Sequence, residues 1–330
     1  MKKIVVHSAG GYDRLRVETC DDLAAAEGET LIDVHAIGIN YADCMVRMGL
    51  YESAKQFVGW PITPGFEVAG MAGGAPVMAV TRFDGYATQV RVPSHQVCPV
   101  PDGMSLIQAA SFPTVFLTAW YALHRLAHVT PGERLLVHSA AGGVGSALCQ
   151  LGKRAGCHIT GVVGGAHKIE AAREAGADVV IDKRAVDLWD AASGEFDVVL
   201  DANGVETLGT SYARLAPAGR LVIYGFHTML QRGRDRPNWP KLAWSWLRTP
   251  RFNPLDLTTS NKSVMGFNLS FLFHRADVLE AAMDDLLAGV RAGELRPLGT
   301  TSFPLERVAD AHAALESGGT TGKLVLTVPR

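Results

Sequence analysis

Arg134-Leu-Leu-Val-His-Ser-Ala-Ala-Gly-Gly-Val-Gly-Ser-Ala-Leu-Cys-Gln150 is the stretch on which the fold turns. Residues 135–137 form a short apolar run and read as a buried strand. Residues 140–145 are a glycine turn, and 146–155 read as a helix. A strand, a tight turn and a helix leave backbone N–H groups and the positive end of a helix dipole facing an anion. That is how a dinucleotide pyrophosphate is held, which places Ala141, Gly142, Gly143, Val144 and Gly145 at a cofactor. Written as GxGxxG, the turn is degenerate: Ala140 takes the first position and Gly142 and Gly145 the others. Ordinary tight turns use glycine too, so the context has to carry the reading.

The context is a repeated alternation. Residues 158–163 read as a second strand, 167–175 as a helix, and 178–182 as a third apolar run. Residues 196–201 and 220–225 supply two more. Short apolar runs alternating with helical patterns predict an α/β fold, a Rossmann-type doubly wound parallel sheet. In NAD enzymes an acid about 20 residues after the first glycine binds the ribose 2′-hydroxyl. Here no Asp or Glu occurs between Glu133 and Glu170, and the second strand ends at Gly164 with Lys168 close behind; Lys183 and Arg184 follow the third. A missing carboxylate with nearby cations suits a 2′-phosphate, so NADPH is expected over NADH. The plain alternative is that these are solvated surface cations.

The whole chain sets the bounds. Its 330 residues suit two domains or one large one, and 48% hydrophobic content fits a globular protein with a sizeable core. A net charge of −2 gives no reason to expect nucleic acid. No apolar run is expected to reach the roughly 18 residues that span a bilayer. The apolar part of the first seven residues is too short for a signal peptide, so it reads as a first strand. The five cysteines, Cys20, Cys44, Cys98, Cys149 and Cys157, are odd in number with no CxxC pair. This argues against a disulfide scaffold and a structural zinc, and for a cytoplasmic protein.

Residues 1–117 differ from the middle: they are rich in Gly, Pro and short β-type runs (31–37, 66–69, 77–80, 87–92). A helix over about 105–126, interrupted near Pro113, bridges to the nucleotide-binding part, assigned to 118–272. Residues 227–262 form a polar and aromatic insert with four prolines; 264–272 read as a strand and 275–292 as an amphipathic helix. Residues 301–305 and 323–328 read as strands that return to the first domain, so that 273–330 complete it.

This order resembles the medium-chain dehydrogenase/reductase superfamily across nearly the whole chain. The blocks that carry the likeness are Gly38-Ile-Asn40-Tyr-Ala-Asp43-Cys-Met-Val-Arg47-Met-Gly49-Leu-Tyr51, Pro61-Ile-Thr-Pro64-Gly65-Phe-Glu67-Val-Ala-Gly70, Ala109-Ala-Ser-Phe-Pro-Thr, the glycine turn, and Ala175-Gly-Ala-Asp178. The first resembles the active-site segment of zinc-independent quinone oxidoreductases. The runs 212–225 and 266–269 look closest to the vesicle amine transport protein subfamily. The resemblance implies a β-rich GroES-like catalytic domain, adds Asn203, Tyr224 and Phe267 to the cofactor contacts, and suggests a homodimer paired along the strand at 264–271.

It also implies an absence of metal. Zinc-dependent relatives use a Cys in the first block and a His after the Pro-Gly of the second; here Asn40 and Phe66 stand there, and no four-Cys lobe exists. An apolar side chain and a neutral amide do not make a zinc site, so no zinc is expected. Without a Lewis acid, reduction of a quinone or of a polarised C=C is easier than alcohol oxidation. Asn40 would donate an amide N–H to the substrate oxygen or fix the nicotinamide. Tyr51 stands where related enoyl reductases carry a proton-donor tyrosine, or only stacks on substrate. Asp43 would tie down the segment, for example through Arg47 at i+4. Glu67 would be a structural carboxylate or a neighbour of the site. Met45 replaces a tyrosine common in quinone oxidoreductases, and the hairpin between Gly70 and Val77 is short. An enoyl-thioester reductase, or a lipid-binding vesicle-associated protein that binds NADPH with little turnover, are the alternatives. The insert, with Trp239, Trp244 and Trp246 among cations, would be a lid, a dimer contact or a lipid-binding element; peripheral membrane contact is the less favoured of these.

Overall fold

The computed structural model describes residues 1–229 and 236–329, so Leu230 to Asp235, the basic start of the insert, lie outside the described residues. The chain divides into two compact units, one of Met1–Leu117, Arg232–Pro237 and Leu269–Arg330, the other of Thr118–Gln231 and Asn238–Asn268.

The first unit is built on β1 (Lys2–Val5), β2 (Arg16–Thr19), β3 (Glu29–Ile39), β4 (Glu67–Ala72), β5 (Ala75–Val80), β6 (Gln89–Pro93) and β7 (Val97–Pro99). From far along the sequence come β14 (Thr300–Pro304) and β15 (Lys323–Thr327). A seven-stranded sheet runs β14-β15-β3-β4-β5-β7, with β6 pairing the first half of β3. β15 lies antiparallel to β3, Leu324 opposite Ile39 and Leu326 opposite Ile37. The predicted return of the last strands to the first domain is therefore observed. The short loop after Gly70 is a two-residue hairpin turn: Ala72 faces Ala75 across Gly73 and Gly74, both at positive φ as such a turn requires.

Four short helices belong to the first 120 residues: α1 (Tyr41–Arg47), α2 (Glu52–Phe57), α3 (Leu106–Ala109) and α4 (Pro113–Trp120). α3 starts at Ser105, whose hydroxyl accepts from the Gln108 N–H. After Pro113 the chain turns helical again, and a π-helical stretch continues it over Tyr121–Ala127. The expectation that no apolar run reaches bilayer length is corrected here. Leu106–Ala127 is long and apolar enough, by length and composition, to cross a membrane; 61% of its apolar window is buried, as in a core helix. Ile32, Ile37, Val68, Tyr86, Leu305, Val308, Leu324 and Leu326 share one core. Burying each such aliphatic chain contributes about 1.5–3 kcal/mol.

The second unit carries β8 (Arg134–His138), β9 (His158–Val163), β10 (Val179–Asp182), β11 (Phe196–Asp201), β12 (Leu215–Ile223) and β13 (Ser263–Gly266). All pairs are parallel, in the order β10-β9-β8-β11-β12-β13. The chain winds one way from β8 to β10 and the other from β11 to β13, so the strand order reverses between β8 and β11. Helices α5 (Gly143–Arg154), α6 (Ile169–Glu174), α7 (Leu188–Ala191) and α8 (Leu208–Ala213) connect these strands. β13 is shorter than the strand expected over 264–272: Leu269–Phe271 is a turn of 3-10 helix. Among the described residues the insert holds the α-helices α9 (Trp239–Arg248) and α10 (Pro254–Ser260), capped by the Asn238 and Asn253 side chains. Two further helices, α11 (Ala276–Arg291) and α12 (Val308–Glu316), belong to the first unit.

Candidate active site

In the second unit the expected cofactor residues all fall at the carboxyl edge of the sheet, where open α/β sheets bind ligands. β8 ends in a turn with Ser139 at φ 57°, and α5 begins at Gly143 with Gly142 as its cap. A Cβ on Gly145 would lie 2.1 Å from the Ser139 carbonyl oxygen, so only glycine lets α5 start this close to the turn. Gly164 follows β9, with Lys168 two residues beyond Ala166 in the next helical turn; Lys183 follows β10, and its N–H donates to the Val163 carbonyl at the tip of β9. Tyr224 follows β12, its N–H on the Asp201 carbonyl; Phe267 follows β13, with its ring 4.9 Å from that of Tyr121.

Asn203 lies just beyond β11, on the side of the reversal point opposite the glycine turn. It is 1% exposed, and among the described residues neither its Oδ1 nor its Nδ2 has a partner. A buried carboxamide without partners costs free energy, which a ligand with both donor and acceptor edges would recover. The glycine turn that only a bare backbone fits and the unmatched Asn203 amide together suit a dinucleotide. Nearby, Asp201 accepts from the Asn203 and Gly204 N–H groups and the Thr207 and Ser211 hydroxyls, which fixes the loop that carries Asn203.

In the first unit the site residues are set by the end of β3. Asn40 caps α1, and its N–H donates to Asp43 Oδ2 at 2.7 Å. Its side chain is held at both ends: Nδ2 donates to Glu67 Oε1 at 2.9 Å, and Lys323 Nζ donates to Oδ1 at 2.5 Å. Lys323 also lies 2.6 Å from Glu67 Oε1, and the Thr114 N–H donates to Oε2 at 2.9 Å. Glu67 and Lys323 are buried.

Asp43 also accepts the Gly65 N–H at 2.8 Å. Burial pushes its carboxyl up to about 7, against the opposing pull of the Asn40 and Gly65 N–H groups, the Lys323 charge and the Tyr86 hydroxyl. The expected tie of Asp43 through Arg47 is corrected here. Asp43 is held by the Asn40 and Gly65 N–H groups and the Tyr86 hydroxyl, while Arg47 pairs with Glu316 (Nη2 to Oε1, 2.9 Å) on α12 and lies over the Tyr12 ring. The reason is geometric: Asp43 faces the start of its own helix, and Arg47 faces α12.

A buried hydrogen-bonded chain joins these groups. Arg47 Nη1 can only donate, so His312 Nδ1, 3.4 Å away, accepts. His312 Nε2 then carries the hydrogen and donates to the Tyr86 hydroxyl at 3.1 Å, and Tyr86 donates to Asp43. Burial and then the Arg47 charge hold His312 well below the usual imidazole range, so it is neutral. Cys44, His312 and Glu316 bring metal-ligating atom types within 4.8 Å of one another. Arg47 and the Tyr12 hydroxyl already take both Glu316 oxygens, so this is no metal site.

Tyr51 precedes α2, and its ring meets Phe66 and Phe83 edge-on at 5.6 and 6.5 Å. The structure thus joins Asn40, Asp43 and Glu67 and places Tyr51 in an aromatic cluster. Sequence reading misses Lys323, Thr114 and the Tyr86–His312 pair. Lys323 does leave a trace, as a charge at the head of an otherwise apolar strand.

Residues 26–75 match the family model "Alcohol dehydrogenase GroES-like domain" and residues 175–326 the model "Zinc-binding dehydrogenase". The human synaptic vesicle membrane protein VAT-1 homolog is 30% identical over 99% of this chain and 86% of its own. The Thermus thermophilus quinone oxidoreductase, solved also in complex with NADPH, superposes with a TM-score of 0.83 at 32% identity, covering 99% of this chain and 100% of its own. CurK enoyl reductase does so with a TM-score of 0.84 at 25% identity, covering 99% of each chain. The residues present do not fit the zinc that one model's description names. Phe66 is apolar, the Asn40 amide is committed to Glu67 and Lys323, and the Lys323 ammonium already supplies a cation beside Glu67. Fold, glycine turn and these relatives agree: the chain belongs to the medium-chain dehydrogenase/reductase superfamily, among the quinone oxidoreductases and VAT-1 homologs.

Proposed function

We propose that the protein is an NADPH-dependent reductase of quinones or α,β-unsaturated carbonyl compounds that works without zinc. The observation that carries this reading is Asn40, a neutral amide held in place by charged neighbours where a metal donor set would otherwise be needed. When bound, NADPH supplies a hydride, two electrons, to the electrophilic carbon of the substrate, and one proton from a protein group or water completes the reduction. The second unit's carboxyl edge would hold the cofactor: backbone N–H groups at the start of α5 suit a pyrophosphate, the unmatched Asn203 amide suits a donor-acceptor edge, and Lys168 and Lys183 suit a 2′-phosphate. Asn40 donates its remaining amide hydrogen to the substrate oxygen as negative charge develops there. Tyr51, a phenol protonated at neutral pH, delivers the proton. Asp43 keeps the Asn40 backbone in register.

The test is stopped-flow oxidation of NADPH, in parallel with NADH, against a benzoquinone, a naphthoquinone, a 2-alkenal and a crotonyl thioester. Turnover of the quinones or the alkenal with NADPH preferred supports the reading. Turnover of the thioester alone moves it to enoyl-thioester reduction, the activity that CurK's name carries. With a working substrate, Tyr51→Phe should lower kcat at least about tenfold if the phenol gives the proton; an unchanged kcat leaves it a stacking residue.

A second reading has its own observation. Trp239, Trp244 and Trp246 are 64%, 62% and 66% exposed, and Leu247 is 66% exposed. With Pro240 and Ala243 they occupy one side of α9, while Ser245 on the other side is buried. Lys241, Arg248 and Arg251 are near. An outward apolar face flanked by cations suits an anionic lipid surface, and one relative is named a vesicle membrane protein. Flotation with phosphatidylserine vesicles should carry the wild type and leave a Trp244→Ala, Trp246→Ala variant behind. Recovery of neither protein with the vesicles removes this reading and leaves the face as a lid or a contact between copies. Among the described residues β13 pairs β12 on one side only, which supports a homodimer joined along that edge; sedimentation equilibrium giving a single-chain mass would exclude it.

A further inference from the structure

We propose that Lys323, acting with Glu67, is the positioning residue that decides which atom of the Asn40 side chain faces the substrate; this rests on the reductase reading above. The oxygen and nitrogen of a carboxamide have nearly the same shape, so packing alone does not choose between its two orientations. Charge does. The Lys323 ammonium has donors only, so the Asn40 atom 2.5 Å from it is Oδ1. Glu67 Oε1 accepts from Lys323 and from the other end of the amide, which makes that end Nδ2. One Nδ2 hydrogen is then spent on Glu67, and one remains.

The remaining hydrogen is what an oxygen gathering negative charge needs. The reversed amide would present its carbonyl oxygen instead and repel the developing oxyanion. The frame that prevents this reversal is rigid. Glu67 has its second oxygen on the Thr114 N–H, and Asn40 is fixed by its own N–H on Asp43. The Lys323 side chain is 3% exposed and that of Glu67 0%. Burying two charges is costly, and a hydrophobic pair of like volume is often no less stable. The pair therefore makes better sense as a device for orientation than as a source of stability. The charge comes from β15, 283 residues from the amide it orients.

The test uses the full-length protein with the best substrate found above. Lys323→Met keeps the length of the side chain and removes its charge. Lys323→Met combined with Glu67→Gln removes both charges, so no unpaired buried charge is left if the single variant folds poorly. Each variant is assayed for kcat, KM for NADPH, and the isotope effect on kcat with NADPH deuterated at the transferred position. Active protein is counted by NADPH titration. The expected result is a kcat lower by about 100-fold, a KM for NADPH within about threefold, and a larger isotope effect, because the hydride step alone has been slowed. A double variant with wild-type kcat overturns the proposal. So does a fall in kcat matched by a fall in active protein with the isotope effect unchanged, since that is mere misfolding. If the wild type reduces nothing in the panel, the reductase reading falls, and orientation is then read from the Asn40 side-chain amide by ¹⁵N NMR. Nδ2 protons that are protected from exchange in the wild type and shift, broaden or lose that protection in the double variant support the orienting role; unchanged shifts and protection refute it.

Discussion

Asp43 has a carboxyl that binds its proton more tightly in the folded chain than in the unfolded one, because burial outweighs the donors around it. Its contribution to stability is therefore full below the unfolded value of about 3.9 and is lost as pH rises through about 7. His138 and His312, held neutral by burial, act with the opposite sign and cost stability as pH falls below about 6.5. The difference in melting temperature between wild type and Asp43→Asn isolates the first effect. It should shrink from pH 4 to pH 8, and a flat difference would show that Asp43 does not titrate in this range. Arg47 makes a sharper case. Arg47→Met leaves Glu316 buried without its cation and should cost about 3–5 kcal/mol in urea unfolding; a loss under about 1 kcal/mol would mean that the pair is not desolvated as the structure has it. At this scale the sequence is legible in part. Asn40, Asp43 and Glu67 can be singled out because they sit in local blocks with a known likeness. Lys323, His312 and Tyr86 cannot, since nothing in a buried lysine's neighbours along the chain says that a carboxylate 256 residues earlier (323 minus 67) is its partner.

The strand, turn and helix from β8 into α5 are readable because their signals are local: an apolar run, a glycine turn and a helical pattern in sequence. Gly145→Ala tests the tightest point. The added methyl would meet the Ser139 carbonyl and the backbone of Ala140, so α5 must shift. The expected outcome is an NADPH dissociation constant raised more than about tenfold and a stability loss of about 1–3 kcal/mol, as for an overpacked site. Fluorescence titration and urea unfolding check the two numbers; an unchanged dissociation constant would move the pyrophosphate off this turn. The insert is less legible. Its prolines look like breaks, yet Asn238 with Pro240 and Asn253 with Pro254 are helix starts, a capping side chain followed by a residue that needs no N–H partner there. The strand expected over 264–272 is too long for the converse reason. Its apolar run continues past Gly266, but the last of it, at Leu269–Phe271, closes as a helical turn.

For the whole molecule, the two-part architecture follows from a change in composition and from the alternation of strands and helices, whereas the pairing order of the first sheet does not, because register between distant strands leaves no periodic trace. β15 sits between β14 and β3 in that sheet, so it is structural as well as chemical. A chain stopped at Gly322 should lack folded first-unit structure and all turnover, seen as lost near-ultraviolet circular dichroism and loss of NADPH oxidation; native-like spectra from that chain would contradict the strand order. This arrangement has a consequence for how the protein is made. During synthesis the ribosome releases the amide, its carboxylate and the glycine turn in order, long before the lysine that orients the amide. Domains usually fold from the N-terminus as they emerge, but here the first domain has to wait, partly formed, until the strand that carries Lys323 has been made. A nascent chain thus lacks the charge that orients the amide until translation has passed codon 323, and pausing before that point would leave β3 without its β15 neighbour.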